Sequence, residues 1–345
     1  METIKTAVLG ASGYTGIELL RLLFSHPHID VVAITSRSNA GKTLSSVLPR
    51  FTSLPGAEIT FINPDIDAIV ASGAETAFLA LPHGQAANYA LPLLEKGIRV
   101  IDLSADFRLN DPAVYEEFYG QAHPSPEWLQ KAVYGMPELY PAEIAASQLI
   151  ASPGCYPTSI ILPLVPLLRK NLIDPTSIIV SSMSGVSGAG RTASLPIIFS
   201  EVNESLRAYG LPKHRHLSEI EQELSLASGQ NVAITFTPHL VPVTRGIHST
   251  ITASLSAPFE DISSCYEETY AEEPFVRLLG AGVAADTAHV TRTNFVDVGW
   301  HHDARTGRLV ITSAEDNLTK GASGQAVQAF NLLHSLPTTA GLLNL

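Results

Sequence analysis

Cysteine is nearly absent: two in 345 residues, Cys155 and Cys265. So low a count excludes the disulfide framework of a small secreted domain and leaves reduced thiols as the expected state. Basic charge is scarce too. Lys and Arg number 21 against 33 Asp and Glu, a formal net charge of −12, which is the wrong sign for binding nucleic acid through counterion release or for coating an anionic membrane. No nucleic-acid partner is expected. Although 45% of the residues are hydrophobic, no run is long and apolar enough to cross a bilayer, and the sequence opens into the apolar stretch Ile4 to Leu9 without a basic leader. No membrane partner is expected, and the cytoplasm is the expected compartment. Internal repeats, low-complexity tracts and long linkers are missing as well, so the domains should be closely joined.

What is present is enough apolar sequence for two cores. The first part alternates short apolar runs with helical patterns: Lys5 to Leu9, a helix over Tyr14 to Phe24, Asp30 to Thr35, Thr76 to Leu81, a helix over Gln85 to Glu95, and Arg99 to Leu103. Such alternation predicts a parallel sheet wrapped by helices. After Ala151 the pattern changes to one apolar helix, Ser159 to Leu168. Extended, β-branched stretches follow at Ser177 to Ser182, Val232 to Thr237, His248 to Leu255, Ala288 to Val298 and Leu309 to Ala314. These predict a mixed, largely antiparallel sheet with helices on one face. A last helix is expected from Leu318 to Leu333, returning to the first domain. The expected fold class is therefore α/β: a Rossmann-type dinucleotide-binding domain plus an α+β domain with a mixed sheet.

Gly10-Ala11-Ser12-Gly13-Tyr14-Thr15-Gly16 follows the first strand directly and opens the first helix. Glycine suits this place because the turn needs unusual dihedrals, the backbone must approach a pyrophosphate, and the helix N-terminus offers unpaired N–H donors. Gly10, Ser12, Gly13, Tyr14, Thr15 and Gly16 are the candidate cofactor contacts. The second strand ends in Thr35-Ser36-Arg37-Ser38, with no carboxylate for a free ribose hydroxyl; Ser36 and Arg37 suit a 2′-phosphate, which favours NADP.

Cys155 stands in Ser152-Pro153-Gly154-Cys155-Tyr156-Pro157-Thr158, between a strand and the apolar helix. A cysteine at a helix N-terminus gains thiolate character, and the same N–H groups can stabilise an oxyanion once the sulfur has attacked a carbonyl. Cys265 sits among Asp261, Glu267 and Glu268 and reads as a small buried hydrophobe. The proton partner for Cys155 is sought in His214 and His216, whose imidazoles suit transfer near neutrality; His83, His239 and His248 are also available. Two histidines without further ligands make an incomplete zinc site, so no metal is expected.

The sequence resembles the N-acetyl-gamma-glutamyl-phosphate reductase family, related to aspartate-semialdehyde dehydrogenase. The resemblance runs through the nucleotide loop, Leu103-Ser104-Ala105-Asp106-Phe107-Arg108, the Pro153 to Thr158 cysteine motif, Ser184 to Arg191, Lys213 to Glu219, and Asp316 to Gly321. It implies an NADP-dependent phosphorylating aldehyde dehydrogenase of arginine biosynthesis. In that reaction the Cys155 thiolate attacks a small-molecule acyl phosphate, and NADPH reduces the resulting thioester to the semialdehyde. It also implies cofactor contacts at Ser187, Gly188, Ala189, Gly190 and Asn317, and anion contacts at Arg108, with Arg191, Arg215 and Arg245 competing for phosphate and carboxylate. The implied division is an NADP-binding domain over 1–150, completed by a C-terminal helix over 318–345, and a catalytic and dimerisation domain over 151–317. A homo-oligomer, dimer or tetramer, is expected. The competing readings are reduction of aspartyl or carrier-linked aminoadipyl phosphate, and a non-catalytic NADP-binding sensor.

Overall fold

A computed structural model describes residues 3–343 and divides them into two compact units. The chain passes from the first to the second between Pro153 and Gly154 and returns between Gly321 and Ala322, and Glu117–Gly120 also belongs to the second. Residues 1, 2, 344 and 345, at the ends of the expected first domain, lie outside the described residues.

Within the described residues the first unit is built on a seven-stranded sheet of β1 (Ile4–Leu9), β2 (Ile29–Thr35), β3 (Phe61–Ile62), β4 (Thr76–Leu79), β5 (Arg99–Asp102), β6 (Val133–Tyr134) and β7 (Leu149–Ala151), in the order β3-β2-β1-β4-β5-β7-β6. Every pairing is parallel. Strands buried on both faces should be continuously apolar rather than alternating, and all of β4 and β7 is buried. The helix α1 (Tyr14–Phe24) has the expected bounds, because its buried Ile17, Leu19, Leu20, Leu22 and Leu23 follow the helical period. The order reverses at β1, which lies between β2 and β4; in such sheets ligands bind outside the carboxyl ends of the strands at that point.

The helix α2 (Ala87–Glu95) starts two residues later than expected. Its start is capped from a distance by the buried Asp106, whose carboxylate accepts the amides of Gly84, Ala86 and Ala87 at 2.6, 2.9 and 3.3 Å.

The second unit carries, within the described residues, a seven-stranded sheet of β8 (Ile179–Ser184), β9 (Arg207–Ala208), β10 (Thr235–Leu240), β11 (Ile247–Ser254), β12 (Val276–Ala281), β13 (Val296–Asp303) and β14 (Arg308–Glu315), in the order β12-β13-β14-β11-β8-β10-β9. The pairs β12–β13 and β8–β10 are parallel; the others are antiparallel. The expected fold class, a parallel dinucleotide-binding sheet plus a mixed and largely antiparallel one, is what the two sheets show. The strand expected over Ala288 to Val298 is not formed as such: Asp286 accepts the amide of Ala288 and starts a short turn at Thr287–His289, Arg292 takes a positive φ of 67°, and β13 begins only at Val296.

Helix α3 (Cys155–Arg169) packs on this sheet and is buried from Tyr156 to Leu168. It starts four residues before the expected Ser159, with Pro157 in its first turn, where a missing N–H costs nothing. Pro166 deprives the Leu162 carbonyl of its helical donor, and the hydroxyl of Tyr270 supplies one at 2.6 Å. Tyr270 and Tyr266, which donates to the Pro163 carbonyl at 2.8 Å, project from α5 (Glu260–Tyr270), which follows α4 (His216–Ser228). A hydroxyl chain joins helix to sheet, with Ser159 to Ser249 and Ser249 to Ser182 both at 2.7 Å.

The final helix, α6 (Gly324–Leu333), belongs to the first unit and is shorter than expected: Thr319–Ser323 is a wider π turn, and among the described residues helical structure does not continue beyond Leu333. Arg99 donates to the Leu333 carbonyl at 3.0 Å and caps its C-terminus, while Asn331 meets His26 at 2.9 Å.

Candidate active site

The three glycines of the nucleotide loop do three different jobs. At Gly10, φ is +82° and a Cβ would lie 2.2 Å from the Ala80 carbonyl oxygen, so only glycine makes the turn. At Gly16 a Cβ would strike the Gly10 oxygen at 2.4 Å and the Ala11 Cα at 2.7 Å, which keeps α1 tight against the loop. At Gly13 the nearest atom would be 3.7 Å away; that side of the backbone is open, as a pyrophosphate needs. Ser36 is buried at the end of β2, its hydroxyl 3.1 Å from that of Ser12 and accepting from Asn39 at 3.1 Å. Arg37 is exposed and donates to the Tyr89 hydroxyl at 3.0 Å. Tyr14 is exposed, and Thr15 accepts from the Ser323 hydroxyl through its carbonyl. These residues fit a dinucleotide phosphate with hydroxyls and one cation at the far end.

In the second unit Cys155 is the first residue of α3 and is half-buried. Gly154 is extended before it, and the amide and hydroxyl of Thr158 both return to the Gly154 carbonyl at 3.1 and 3.0 Å, which fixes the turn. Because Pro157 has no N–H, the amides that head the helix beside the sulfur are those of Cys155 and Tyr156. Gly321 backs the same residue: a Cβ there would lie 2.7 Å from Cys155 Cβ and 2.8 Å from Glu315 Oε1.

His214 and His216 come together, their ring centroids 5.0 Å apart, in an aromatic group with Tyr156, Tyr209 and Phe236. Their surroundings differ. His214 accepts the His216 amide at Nδ1, 3.1 Å away, and burial, followed by the charge of Arg215, pushes its pKa down to about 4. It is thus a neutral acceptor at physiological pH. His216 lies with Nε2 3.9 Å from the carboxylate of Glu219, a buried residue one turn along α4. Of the other candidates, His83, in the first unit, accepts the Ala105 amide at Nδ1, the His239 carbonyl accepts from the Tyr156 hydroxyl at 3.4 Å, and burial lowers the pKa of His248.

The depressed His214 value has a consequence for folding. An unfolded histidine protonates below about 6.5, whereas His214 in the fold stays neutral down to about 4. Its contribution is complete above pH 6.5 and is lost as pH falls toward 4, where the unfolded chain binds the extra proton. His214→Gln, which keeps an acceptor for His216, is expected to flatten the fall of the thermal midpoint between pH 6.5 and 4. An unchanged pH profile by calorimetry would refute this.

The four candidate arginines are divided between the two units, one in the first and three in the second. Arg108, in the first unit, is buried, with Nε donating to the Ser152 carbonyl at 2.8 Å and a terminal nitrogen to the Leu103 carbonyl at 3.0 Å. It lies in a network with Asp102, which is raised to about 7 by burial and then by the charge of Asp106. In the second unit Arg245 meets Asp316 at 3.3 Å, and Arg191 and Arg215 are exposed. Asn317 is committed within the protein at both ends of its amide, accepting from the Gly246 amide at 2.8 Å and donating to Ser187 Oγ at 2.9 Å. That bond holds the Ser187–Gly190 loop, in which Gly188, Ala189 and Gly190 are exposed.

Residues 5–147 match the family model for the semialdehyde dehydrogenase NAD binding domain, and residues 155–317 match that for the semialdehyde dehydrogenase dimerisation domain. Over 344 residues the chain is 57% identical to the N-acetyl-gamma-glutamyl-phosphate reductase of Akkermansia muciniphila, with 99% of each chain covered. The chain belongs to the N-acetyl-gamma-glutamyl-phosphate reductase family. A further member, from Geobacter metallireducens, is 51% identical over 343 residues, with 98% of each covered. Among solved structures, aspartate semialdehyde dehydrogenase II of Vibrio cholerae complexed with ASA gives a TM-score of 0.73 at 18% identity, covering 97% of this chain and 99% of that one. The aspartate semialdehyde dehydrogenase of Candida albicans with NADP gives 0.75 at 16%, covering 96% and 99%. At such identities the likeness is one of fold. Family membership agrees with the resemblance carried by the cysteine and histidine motifs. Glu219, Tyr209, Glu315 and Gly321 were given no role from the sequence; Glu219 and Gly321 left a signal there, as the last residues of two motifs that carry the resemblance.

Proposed function

We propose that the chain reduces N-acetyl-gamma-glutamyl phosphate to N-acetylglutamate semialdehyde and phosphate with NADPH, through a thioester on Cys155. The observation that carries this reading is the placement of Cys155 as the first residue of a buried helix, with the histidine pair and Tyr209 in the same unit. A non-catalytic sensor needs no such thiol. The Cys155 thiolate attacks the acyl carbon; the carbon–sulfur bond forms, the carbon–oxygen bond to phosphate breaks, and phosphate leaves with the electron pair. The Cys155 and Tyr156 amides stabilise the charge developing on the carbonyl oxygen. Bound NADPH supplies the hydride that converts the thioester to aldehyde, after which the carbon–sulfur bond breaks and the thiolate is restored. One proton is consumed overall and leaves on the phosphate; His216, rather than His214, whose imidazole burial holds neutral, delivers it and is reprotonated from solvent.

The nucleotide loop, Ser36 and Arg37 hold the cofactor, and the phosphate-facing pair of Ser36 and Arg37 favours NADP over NAD. Removing Arg37 as alanine is expected to raise the KM for NADP about tenfold, equivalent to one lost charge-assisted contact, and to leave that for NAD within twofold. Equal effects on both would remove Arg37 from the 2′-phosphate. Arg108, Arg191, Arg215 and Arg245 remain the candidates for phosphate and carboxylate, with Arg191 and Arg215 the exposed ones.

The protein works in the cytoplasm as a homo-oligomer, dimer or tetramer, assembled through the second unit. Among the described residues no helix is long and apolar enough to cross a membrane, and Ile179 and Met183 lie exposed on the face of β8 opposite Ser182 and α3. Sedimentation as a monomer at micromolar concentration would overturn the assembly. The substrate is tested by initial rates of NADPH formation with phosphate and either N-acetylglutamate semialdehyde or aspartate semialdehyde. A preference for the acetylated substrate of at least about 100-fold in kcat/KM is expected, since a site built for its polar group rejects an analogue without it. Preference for the aspartate compound would transfer the chain to the neighbouring reaction.

A further inference from the structure

We propose that Tyr89 sets the preference for NADP over NAD, as a positioning residue that holds the Arg37 guanidinium where the adenosine 2′-phosphate binds. The proposal rests on the reading of Ser36 and Arg37 as the 2′-phosphate contacts and adds the group that aims the cation. A long exposed arginine loses rotamer freedom when it meets a ligand, and that loss weakens binding unless the side chain is held beforehand. Here a terminal nitrogen of Arg37 donates to the Tyr89 hydroxyl at 3.0 Å, across 52 residues of sequence, so a helix rather than the arginine's own loop decides where the cation stands. Tyr89 is half-buried in the first turn of α2, and its ring packs against the apolar cluster of the first unit that contains Leu79, Ala90 and Leu93. The ring is thereby fixed and only its polar tip reaches the surface. Arg37 follows β2, α2 follows β4, and β1 lies between those strands, so the bond spans the point at which the strand order reverses and a dinucleotide binds.

The hydroxyls next to Arg37 are arranged to donate. Asn39 directs its amide nitrogen to the Ser36 and Ser38 hydroxyl oxygens at 3.1 and 3.3 Å, and Ser36 Oγ lies 3.1 Å from Ser12 Oγ and 3.4 Å from Ser38 Oγ. By donating to both serines, Asn39 fills an acceptor site on each and leaves their O–H groups to turn toward an acceptor. A phosphate dianion only accepts and suits such hydroxyls. A free ribose hydroxyl calls for an acidic acceptor, and none stands from Thr35 to Asn39. The bond to Tyr89 uses only one of the guanidinium N–H donors, so Arg37 meets the phosphate without releasing the tyrosine. The cation and the hydroxyls are thus both set in place by neighbours, Arg37 by Tyr89 and the serines by Asn39.

A double-mutant cycle tests the coupling, read by calorimetric binding of NADP, NAD and adenosine 2′,5′-bisphosphate, which carries the phosphate without the nicotinamide. Y89F keeps the packed ring and removes only the hydroxyl, so its thermal midpoint should match the wild type. Its Kd for NADP and for the bisphosphate is expected to rise about threefold to fivefold, the worth of one partly exposed hydrogen bond to a charged group, while that for NAD stays unchanged. In an R37A background the same substitution should have no further effect, because Tyr89 acts through Arg37. An unchanged NADP affinity in Y89F, an equal loss for NAD, or a full-sized loss in the R37A background overturns the proposal. So does tighter NADP binding in Y89F, which would mean that the tyrosine draws the cation away from the phosphate. A selective loss in R37A with a silent Y89F sinks this proposal alone, whereas an R37A that weakens NADP and NAD alike sinks the 2′-phosphate reading and this one with it. No acyl phosphate enters the measurement, so the result stands whether or not the thioester reading does.

Discussion

Cys155→Ser is expected to abolish phosphate-dependent NADPH formation, lowering kcat by at least about 10³-fold while NADP binding and thermal stability stay close to wild type. The sulfur is the nucleophile at the head of α3, and a helix N-terminus, which favours thiolate over thiol, leaves a hydroxyl, with its far higher pKa, protonated. An ester formed on serine would also release its alkoxide less readily than a thioester releases thiolate. Stability should be spared because the substitution exchanges atoms of similar size at a half-buried position. Residual turnover above about a tenth of wild type would remove Cys155 from the covalent step.

Gly321→Ala should give the second large effect. Its added methyl would fall 2.7 Å from Cys155 Cβ, 3.1 Å from Cys155 Cα and 2.8 Å from Glu315 Oε1. Neither neighbour yields easily: the cysteine atoms belong to the first turn of a buried helix, and Glu315 is fully buried at the end of β14. Overpacking of this kind costs about 1–3 kcal/mol. Its larger effect should be on rate, since a displacement of roughly 1 Å at a nucleophile lowers kcat by about 100-fold. A variant that melts a few degrees lower and keeps its full kcat would show that the turn relaxes elsewhere and that Gly321 does not position the sulfur.

The legible parts of this fold are local ones. Helix α1 runs over Tyr14–Phe24 as its apolar spacing predicts, because the glycine loop and the helical period act within one short segment. The parallel sheet and the mixed sheet follow from the change in strand pattern after Ala151. The start of helix α3 was less legible: the expected helix begins at Ser159, after the Gly and Pro of the cysteine motif, whereas the structure takes Pro157 into the first turn. Farther along, a distant tyrosine hydroxyl serves the Leu162 carbonyl that Pro166 leaves without its helical donor. The strand expected near Ala288 failed for the converse reason: Asp286 offers its side chain to the backbone and wins the local competition for a turn.

At the candidate site the sequence names the cysteine and the histidine pair but does not separate the two imidazoles. That distinction comes from one backbone amide, His216 N–H to His214 Nδ1, and from burial, neither of which has a sequence signature. Asn317 is a related case. The resemblance implies a cofactor contact there, and only the tertiary structure reveals that the same amide also holds Gly246 and Ser187. The reach of Glu219 to Gly154 and the crowding of Gly321 against Cys155 depend in the same way on chain segments far apart in sequence.

The measurement that bears most directly on the covalent account is mass spectrometry of the protein mixed with N-acetyl-gamma-glutamyl phosphate in the absence of NADPH. The account predicts one phosphate released per subunit and an acyl group on the Cys155 peptide, discharged as semialdehyde when NADPH is added. Phosphate release without an adduct on Cys155, or an adduct on another residue, would contradict it.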